Sequence, residues 1–405
     1  MLEPLEELGT NPKPGLERIK KFMDAIGNPQ DDLRIILVGG TNGKGSTTAY
    51  LSNILIEDGY KVGSFFSPHT ISPRERIQIN REWIEERELV DYEEDILRVS
   101  RAGYPITYWE GLAALGYKYF KDRDVDFAVI EVMMGGRYDA TNVAHPAISI
   151  ITNVSRDHTD FLGEEIEKIA WEKAGTIKGN LAITGAEEGF GIIKKEVEET
   201  EGRLRSLGRD FFCEKAEVSD SGNIFDYLGY EFYKEVKTTM VGDYQVKNAA
   251  LAIAAAEEIG VEEEQIKGGV EKTIHPGRIQ VLSKKPLIIV DAAHNPEGIG
   301  NLVANLHLFD YENLSVLFSA KKTKDWRKMI SLVAPHASHL TVTEFGDGSV
   351  SAEELAKEAA FYTKSSPEKN PAKAFEDAKE RGDALLVCGS IYLIRKLHEE
   401  GKIRI

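Results

Sequence analysis

Cysteine is nearly missing from this chain: Cys213 and Cys388 are the two in 405 residues. They stand far apart with neither a CxxC nor a Cys/His metal spacing, which excludes a disulfide framework and points to ordinary buried thiols in a reduced compartment. Long apolar runs are missing as well. No stretch approaches the ~20 residues a membrane helix needs, and the N-terminal "MLEPLEELGTNPKPGLERIKK" has no apolar signal core. A cytoplasmic protein with no membrane partner is therefore expected. Positive charge is scarce, with 50 Lys and Arg against 67 Asp and Glu and a net charge of -17. A phosphate polymer would meet an acidic surface over most of the molecule, which argues against a nucleic-acid partner. A small anion such as ATP is still allowed, because its site needs only local basic residues. No internal repeat and no low-complexity tract is visible.

What is present is a large globular composition, 42% hydrophobic and 29% charged, in a chain longer than one core usually organises, so two domains are expected. Apolar runs that read as strands recur at 33–38, 61–66, 126–132, 147–154 and 181–184. Helical periodicity separates most of them, which predicts an α/β fold with a mainly parallel sheet. From about 186 to 245 the texture turns aromatic, β-branched and turn-rich, and short antiparallel strands are expected there. "KNAALAIAAAEEIG" then reads as a helix with Gly260 at its C-cap. After "HPGR" at 275–278 a second βα series begins, with strands at 286–291, 314–319, 339–345 and 384–388. It predicts a smaller, Rossmann-like α/β domain. The expected division is 1–275 and 276–405, with the chemistry in the cleft between them.

Chemistry enters first at "LVGGTNGKGSTT", 37–48, where an apolar strand runs into a glycine-rich turn and then a helix. Such a turn exposes backbone N–H groups at the positive end of a helix, a cradle for phosphate, and Lys44 adds a mobile positive charge. Ser46 or Thr47 could touch a magnesium ion. The fit to a Walker A loop is imperfect, since Val38 stands at its first glycine and Gly45 follows the lysine. Next, "VIEVMMGGRYDATN" delivers Glu131 to the carboxyl end of a strand. An acid in an apolar strand is expensive to bury alone. Magnesium beside the phosphate loop is one partner; an ion pair with Arg137, or a cap on the glycine turn, is the other reading. In "DHTDFLGEEIEKIAWEKAGTIK" the residues Ile166, Ile169, Ala170, Lys173 and Ile177 share one helix face, so Lys173 stands where an apolar residue belongs. It either snorkels outward or loses its proton and reacts with carbon dioxide to become a carboxylate. "SFFSPHT" brings Ser67 to a strand end as a turn residue or a hydroxyl ligand, and "IIVDAAHNPEG" offers Asp291, His294 and Asn295 as an Asx turn or as cleft residues.

Taken together, "KPGLERIKKFMDAIGNPQ", "GGTNGKGSTT", "FFSPHTISPRERIQIN", "TYWE", "EVMMGGRYDATN", "DHTDFLG", "EKAGTIK", "QVKNAALA", "HPGRIQV", "DAAHNP" and "CGSIYLI" occur in an order that resembles the folylpolyglutamate synthase and dihydrofolate synthase family, a branch of the Mur ligases. The resemblance implies a P-loop-containing, Mur-ligase-like central domain and a C-terminal glutamate-ligase domain. It also implies an ATP-dependent amide ligase that adds L-glutamate to a pterin or folate carboxylate through an acyl phosphate. By the same resemblance ATP would be held by Thr41, Asn42, Gly43, Lys44, Gly45 and Ser46 with Asn248, Arg278 and Asp291. Two magnesium ions would be held by Ser67, Glu131 and His158, and Lys173 would be carbamylated. Lys44, Glu131, His158 and Lys173 form the implied catalytic set. Thr107, Tyr108, Trp109, Glu110, Tyr138, Asp139 and Ala140 would line the pterin pocket, His294 and Ser390 would meet glutamate, and the protein would act as a monomer. Departures from the family pattern are Met133, Met134, Trp109, Tyr244 and Ala292, several of them near the pterin pocket. A related ligase for another carboxylate and a P-loop ATPase or kinase are the rival readings.

Overall fold

The computed structural model describes residues 4–11, 13, 15–157 and 162–405. The first seven strands and five helices are β1 (Ile35–Gly39), β2 (Val62–Phe65), β3 (Ile77–Ile79), β4 (Glu82–Trp83), β5 (Phe127–Glu131), β6 (Ile148–Ile151), β7 (Leu181–Thr184), α1 (Glu17–Ala25), α2 (Lys44–Glu57), α3 (Glu86–Arg101), α4 (Tyr108–Asp122) and α5 (Ile166–Ala174). With β8 (Arg203–Ser206), which follows α6 (Phe190–Glu199), the strands form one sheet in the order β4-β3-β2-β5-β1-β6-β7-β8. Six of its strands run parallel and the β3–β4 hairpin pairs antiparallel at one edge. Apolar β-branched runs such as "IILVG" and "FAVIE" are buried along their whole length, as central parallel strands covered on both faces must be.

A separate antiparallel sheet comprises β9 (Phe212–Ser219), β10 (Gly222–Leu228) and β11 (Phe232–Thr238). It leads into α7 (Asp243–Ile259) and α8 (Glu263–Glu271). The remaining chain forms a six-stranded sheet in the order β12-β13-β17-β14-β15-β16. Its strands are β12 (Gln280–Lys284), β13 (Leu287–Val290), β14 (Leu314–Phe318), β15 (His339–Val342), β16 (Ser365–Pro367) and β17 (Ala384–Cys388). Its helices are α9 (Pro296–Ala304), α10 (Trp326–Val333), α11 (Ala352–Ala359), α12 (Pro371–Lys379) and α13 (Ile391–Glu399). One face of this sheet packs on Ile299, Met329, Ile330 and Leu355, the other on Phe375, Leu393 and Ile394.

Two expectations need correction. The antiparallel section is narrower than 186–245: it occupies 212–238, and the chain before it supplies α6 and the parallel strand β8. "FGIIKKEVEE" buries Ile193 and Val197 at helical spacing, a period of four within a polar stretch. Strands β3, β4, β8, β12 and β16 also escape the sequence reading, because a strand at or near a sheet edge keeps polar residues and shows no continuous apolar run.

The helix that carries the glycine loop is deeply placed. Every residue of α2 from Gly45 to Leu55 is buried, with Tyr50, Leu51 and Ile54 set against Ala249 to Ala256 of α7 and Ile266 and Val270 of α8. Its small polar residues Ser46, Thr47, Thr48, Ser52 and Asn53 are enclosed along with its apolar ones. The contact with α8 is a backbone approach: a Cβ added to Gly269 would lie 2.4 Å from Ile54 Cα. Gly269→Ala is therefore expected to cost at least about 1–3 kcal/mol, read as a lowered urea midpoint with unchanged m-value; a midpoint equal to wild type would show that α8 can shift freely away from α2.

Candidate active site

Glycine is required at three points of the loop between β1 and α2. Gly40 has φ +135° and its added Cβ would overlap Thr152 Oγ1. Gly43 has φ +80°, caps α2 without any side-chain hydrogen bond, and is overlain by the Asn248 amide of α7. Gly45, the departure from Walker A, has its explanation here: a Cβ would stand 2.7 Å from His275 Nε2 and 3.3 Å from Glu131 Oε2. Side chains from two other segments press on the start of α2 where a Walker A loop carries Ser or Thr. The loop is held from β6: Asn153 Oδ1 accepts the amides of Thr41 at 3.1 Å and Asn42 at 2.9 Å, and Thr152 Oγ1 donates to Asn42 O at 2.6 Å. Lys44 folds back to donate to Thr41 O at 3.1 Å, and Ser46 is buried at the first turn.

The strand order brings two more charged groups to this loop. Glu131 ends β5 opposite Val38 of β1 and is 5% exposed. Burial pushes its carboxyl pKa up, against the opposing charges of Lys44, Arg278 and Arg76 and an amide hydrogen bond from Ser67. That hydrogen bond, Ser67 N to Glu131 Oε2, measures 2.9 Å. The Arg137 alternative fails, because Arg137 pairs with Glu196 at 2.7 Å and lies over the Trp171 ring. Lys173, on α5, does not snorkel: it is 3% exposed and its amine donates to Gly40 O at 2.8 Å. Burial, and secondarily the charge of Lys44, lowers its pKa to about 7. Arg76, buried at 4%, donates to Ser67 Oγ at 3.2 Å and to His69 Nδ1 at 2.8 Å. His158 lies outside the described residues.

The C-terminal segment completes the other wall. Asp291 accepts the amides of Ile279 at 2.8 Å and Ala293 at 2.7 Å, and burial raises its pKa against the pull of Arg278. His275 stacks on Phe66 with centroids 5.5 Å apart, and burial, then Arg278, holds it neutral with a pKa of about 3. Glu297, at the start of α9, accepts from Asn42 and Ser155 and, at 3.0 Å, from Asn153 Nδ2. Asn295 donates to Asn42 Oδ1 at 2.9 Å and to Asp157 at 3.1 Å, while Lys324 donates to Asp157 at 2.6 Å. His275, Glu297 and Asn153 carry contacts that sequence reasoning missed; "HPGR" and "HNPEG" were visible, but nothing in them says which member faces the loop.

Beside this cluster lies a cavity of about 560 Å³. Thr107, Trp109, Glu110, Tyr138, Asp139 and Ala140 line it with Met133 and Met134, as do His294 and Ser390 from the opposite wall. Tyr108 is the exception. It is 5% exposed and belongs to the core, set edge-on to Trp109, because it opens α4 while its neighbours turn toward the cavity. Some lining groups are already committed. Glu110 Oε2 accepts from Thr107 N and Oγ1 in a capping box and its carboxylate pairs with Arg18 at 3.2 Å. Asp139 accepts the amides of Met134 and Thr141, and Ser390 Oγ caps α13 at 3.2 Å from Tyr392 N. His294, half-buried, meets Ala292 O at 3.0 Å, and burial lowers its pKa to about 4.

A glycine loop flanked by a buried acid and a buried amine thus lies beside the cavity. Residues 114–256 match the Mur ligase middle domain and 277–391 the Mur ligase glutamate ligase domain. The chain is 34% identical to the dihydrofolate synthase/folylpolyglutamate synthase of Bacillus subtilis over 96% of this chain and 95% of that one. It is 35% identical to the folylpolyglutamate synthase of Lacticaseibacillus casei over 77% of each. Among solved structures it matches Mycobacterium tuberculosis folylpolyglutamate synthase complexed with ADP (TM-score 0.93, 28% identity, 99% of this chain and 97% of that one). E. coli FolC in complex with DHPP and ADP also matches (TM-score 0.90, 27% identity, 98% and 95%). The chain belongs to the folylpolyglutamate synthase/dihydrofolate synthase family of ATP-dependent ligases. No helix among the described residues is long and apolar enough to cross a membrane.

Lys173 makes its own prediction. Its pKa falls from an unfolded value of ~10.4 to about 7, so between those pH values the unfolded chain binds the extra proton and this group's contribution to stability rises with pH. In buffer free of carbon dioxide, the stability of Lys173→Met relative to wild type is expected to be greatest at pH 7 and to shrink toward pH 10 in urea melts; a pH-independent difference would mean an ordinary lysine pKa.

Proposed function

We propose that the chain joins L-glutamate to the carboxylate of a pterin-type acceptor, forming an amide while ATP becomes ADP and phosphate. The observation that carries this reading is the convergence of Lys44, Glu131 and Lys173 on the glycine loop at the edge of the cavity. The triphosphate lies along Thr41 to Ser46, against backbone N–H groups at the start of α2, with Asn248, Arg278 and Asp291 at the nucleotide. The acceptor ring occupies the cavity between Trp109, Met133 and Tyr138, and Tyr108 supports it from the core.

A substrate carboxylate is a poor electrophile, and it repels both the γ-phosphate and an incoming amine until phosphoryl transfer makes it an acyl phosphate. Lys44 neutralises charge during that transfer. The glutamate amine then attacks the acyl carbon, the tetrahedral intermediate collapses, and phosphate leaves. Water would destroy the acyl phosphate, so closure of the cleft between 1–275 and 276–405 protects it. Contacts of Asn42 with Asn295 and Glu297 across that cleft support such closure.

The donor set fits magnesium. Glu131 and the Ser67 hydroxyl are hard oxygen ligands beside the phosphate loop, and a magnesium ion needs few protein groups when phosphates and water supply the rest. Ser67, Glu131 and His158 would hold it, and when bound it supplies the positive charge that offsets repulsion between phosphate and carboxylate. Lys173, its pKa lowered by burial to about 7, has a substantial neutral fraction near pH 7; its nitrogen can attack carbon dioxide and lose a proton, leaving a carbamate as a further anionic ligand. Free Cys213 and Cys388 support a cytoplasmic enzyme, and we take it to act as a monomer.

The deciding experiment is ADP release with dihydropteroate, a folate carrying one glutamate, or no acceptor, each with and without L-glutamate. Turnover is expected only with both substrates; ATP hydrolysis indifferent to amino acid would replace the ligase by an ATPase. Lys173→Ala is expected to lower turnover at least about 100-fold, with partial rescue by a small added carboxylate, and full activity would remove the carbamate. For Glu131→Ala, nucleotide binding is expected to survive while magnesium-dependent turnover is lost; undiminished turnover would overturn the metal assignment.

A further inference from the structure

The cavity's carboxyls and Lys324 are engaged by neighbours, whereas among the described residues Lys13, Arg76 and Lys321 line it with no carboxylate at ion-pair distance; Lys13 is exposed and Arg76 is spent on Ser67 and His69, which leaves Lys321. Glu110 is bound to Arg18 and Thr107, Asp139 to backbone amides, Glu172 to the Tyr138 amide, and Lys324 to Asp157. Lys321 lines the same cavity from the loop after β14, and among the described residues no carboxylate lies within ion-pair distance of it. A lysine of this kind on a flexible loop ordinarily swings into water. This one is held. Its amine donates to Tyr392 OH at 3.1 Å and sits 4.2 Å from the centre of the Tyr392 ring, while that ring stacks on Phe345 with centroids 5.4 Å apart. The Lys321 backbone is pinned by an isolated bridge to Ser349, and Lys322, its neighbour, is exposed and outside the cavity. An ammonium has three donors; the tyrosine takes one, and a cation resting on a ring face has lost part of its water.

From this placement we infer that Lys321 is a specificity-determining residue that holds a carboxylate of the incoming amino acid. The inference rests on the ligase reading above. The phosphate loop gathers its own cation in Lys44, so the triphosphate is provided for; Lys321 shares its wall with His294 and Ser390, from which the amino acid approaches. A held, partly desolvated ammonium attracts a carboxylate more strongly than an amide of the same shape, which offers it one acceptor oxygen and no net charge. The site would therefore select a dicarboxylic amino acid over its neutral analogues.

The test compares wild type, Lys321→Met and Lys321→Arg with L-glutamate, L-glutamine and L-isoglutamine, following phosphate release and amide product by mass spectrometry. The two amides separate the sources: glutamine lacks the side-chain carboxylate and isoglutamine the α-carboxylate. Lys321→Met is expected to raise the KM for glutamate about tenfold or more, to leave the KM for ATP where it was, and to erase the preference for glutamate over one of the two amides. Lys321→Arg, which keeps the charge, is expected to retain most of that preference. A glutamate KM in Lys321→Met within about twofold of wild type, or a change confined to the KM of the pterin acceptor, overturns the inference alone. Wild-type enzyme that ignores every added amino acid overturns the ligase reading and the inference with it.

Discussion

The amine of Lys173 reaches the carbonyl of Gly40 through a gap that only a backbone can leave open, and the rest of the site is arranged around that approach. Lys173 sits on a helix beyond β6, Glu131 at the end of β5, and the loop itself follows β1, which lies between them in the sheet. Parallel order makes all three arrive at the same edge. There Thr152 leaves no room for a side chain at Gly40, Asn248 none at Gly43, and His275 with Glu131 none at Gly45. The glycines are therefore a consequence of crowding by neighbouring polar side chains as much as of the turn. This accounts for a phosphate loop that breaks the usual pattern just after its lysine: His275 and Glu131 occupy the space a Ser or Thr would need.

The same crowding sets the protonation states. Glu131, Lys173 and Asp291 are buried and His275 partly so, and for each of them burial is the largest cause of the shift. Burial always opposes the charged form, so the acids move up while the amine and the imidazole move down. A pocket in this condition is poised to accept an added cation and an added anion together, since each restores the solvation that the other side chains lost. Magnesium beside a triphosphate is such a pair.

Much of the fold was legible because its central strands are covered on both faces and so read as continuous apolar runs; the α/β class and the parallel order follow from those runs alone. Edge strands such as "RLRS" and "QVLSK" were not legible, because one side of each meets solvent or a bulge and the apolar signal vanishes. In the site, Glu131 and Lys173 announced themselves by being charged where the period demanded an apolar residue. Tyr108 could not be separated from Thr107 and Trp109 in sequence, since only the first turn of α4 decides which of the three turns inward. Glu297 and Lys321 carry no period at all. Their meaning is a distance across the cleft, and chain order does not encode that.

A chain with a net charge of -17 must hold anions without repelling them, and the cavity shows how. Acidic residues are present in its wall, yet Glu110 faces Arg18, Asp139 is saturated by amide donors, and the pKa of Glu172 is raised by burial. Each carboxyl is thus either paired or pushed toward its neutral form, so the field inside is set by what is left over. What is left over is basic: Lys44 at the loop, Arg76 buried with a hydroxyl and an imidazole for partners, and Lys321 on its tyrosine. Outside the cleft the surplus acid is solvated, and salt in the surrounding water screens it over about 10 Å. Overall acidity and an anion-binding interior are compatible because the neutralisation is done residue by residue at the wall.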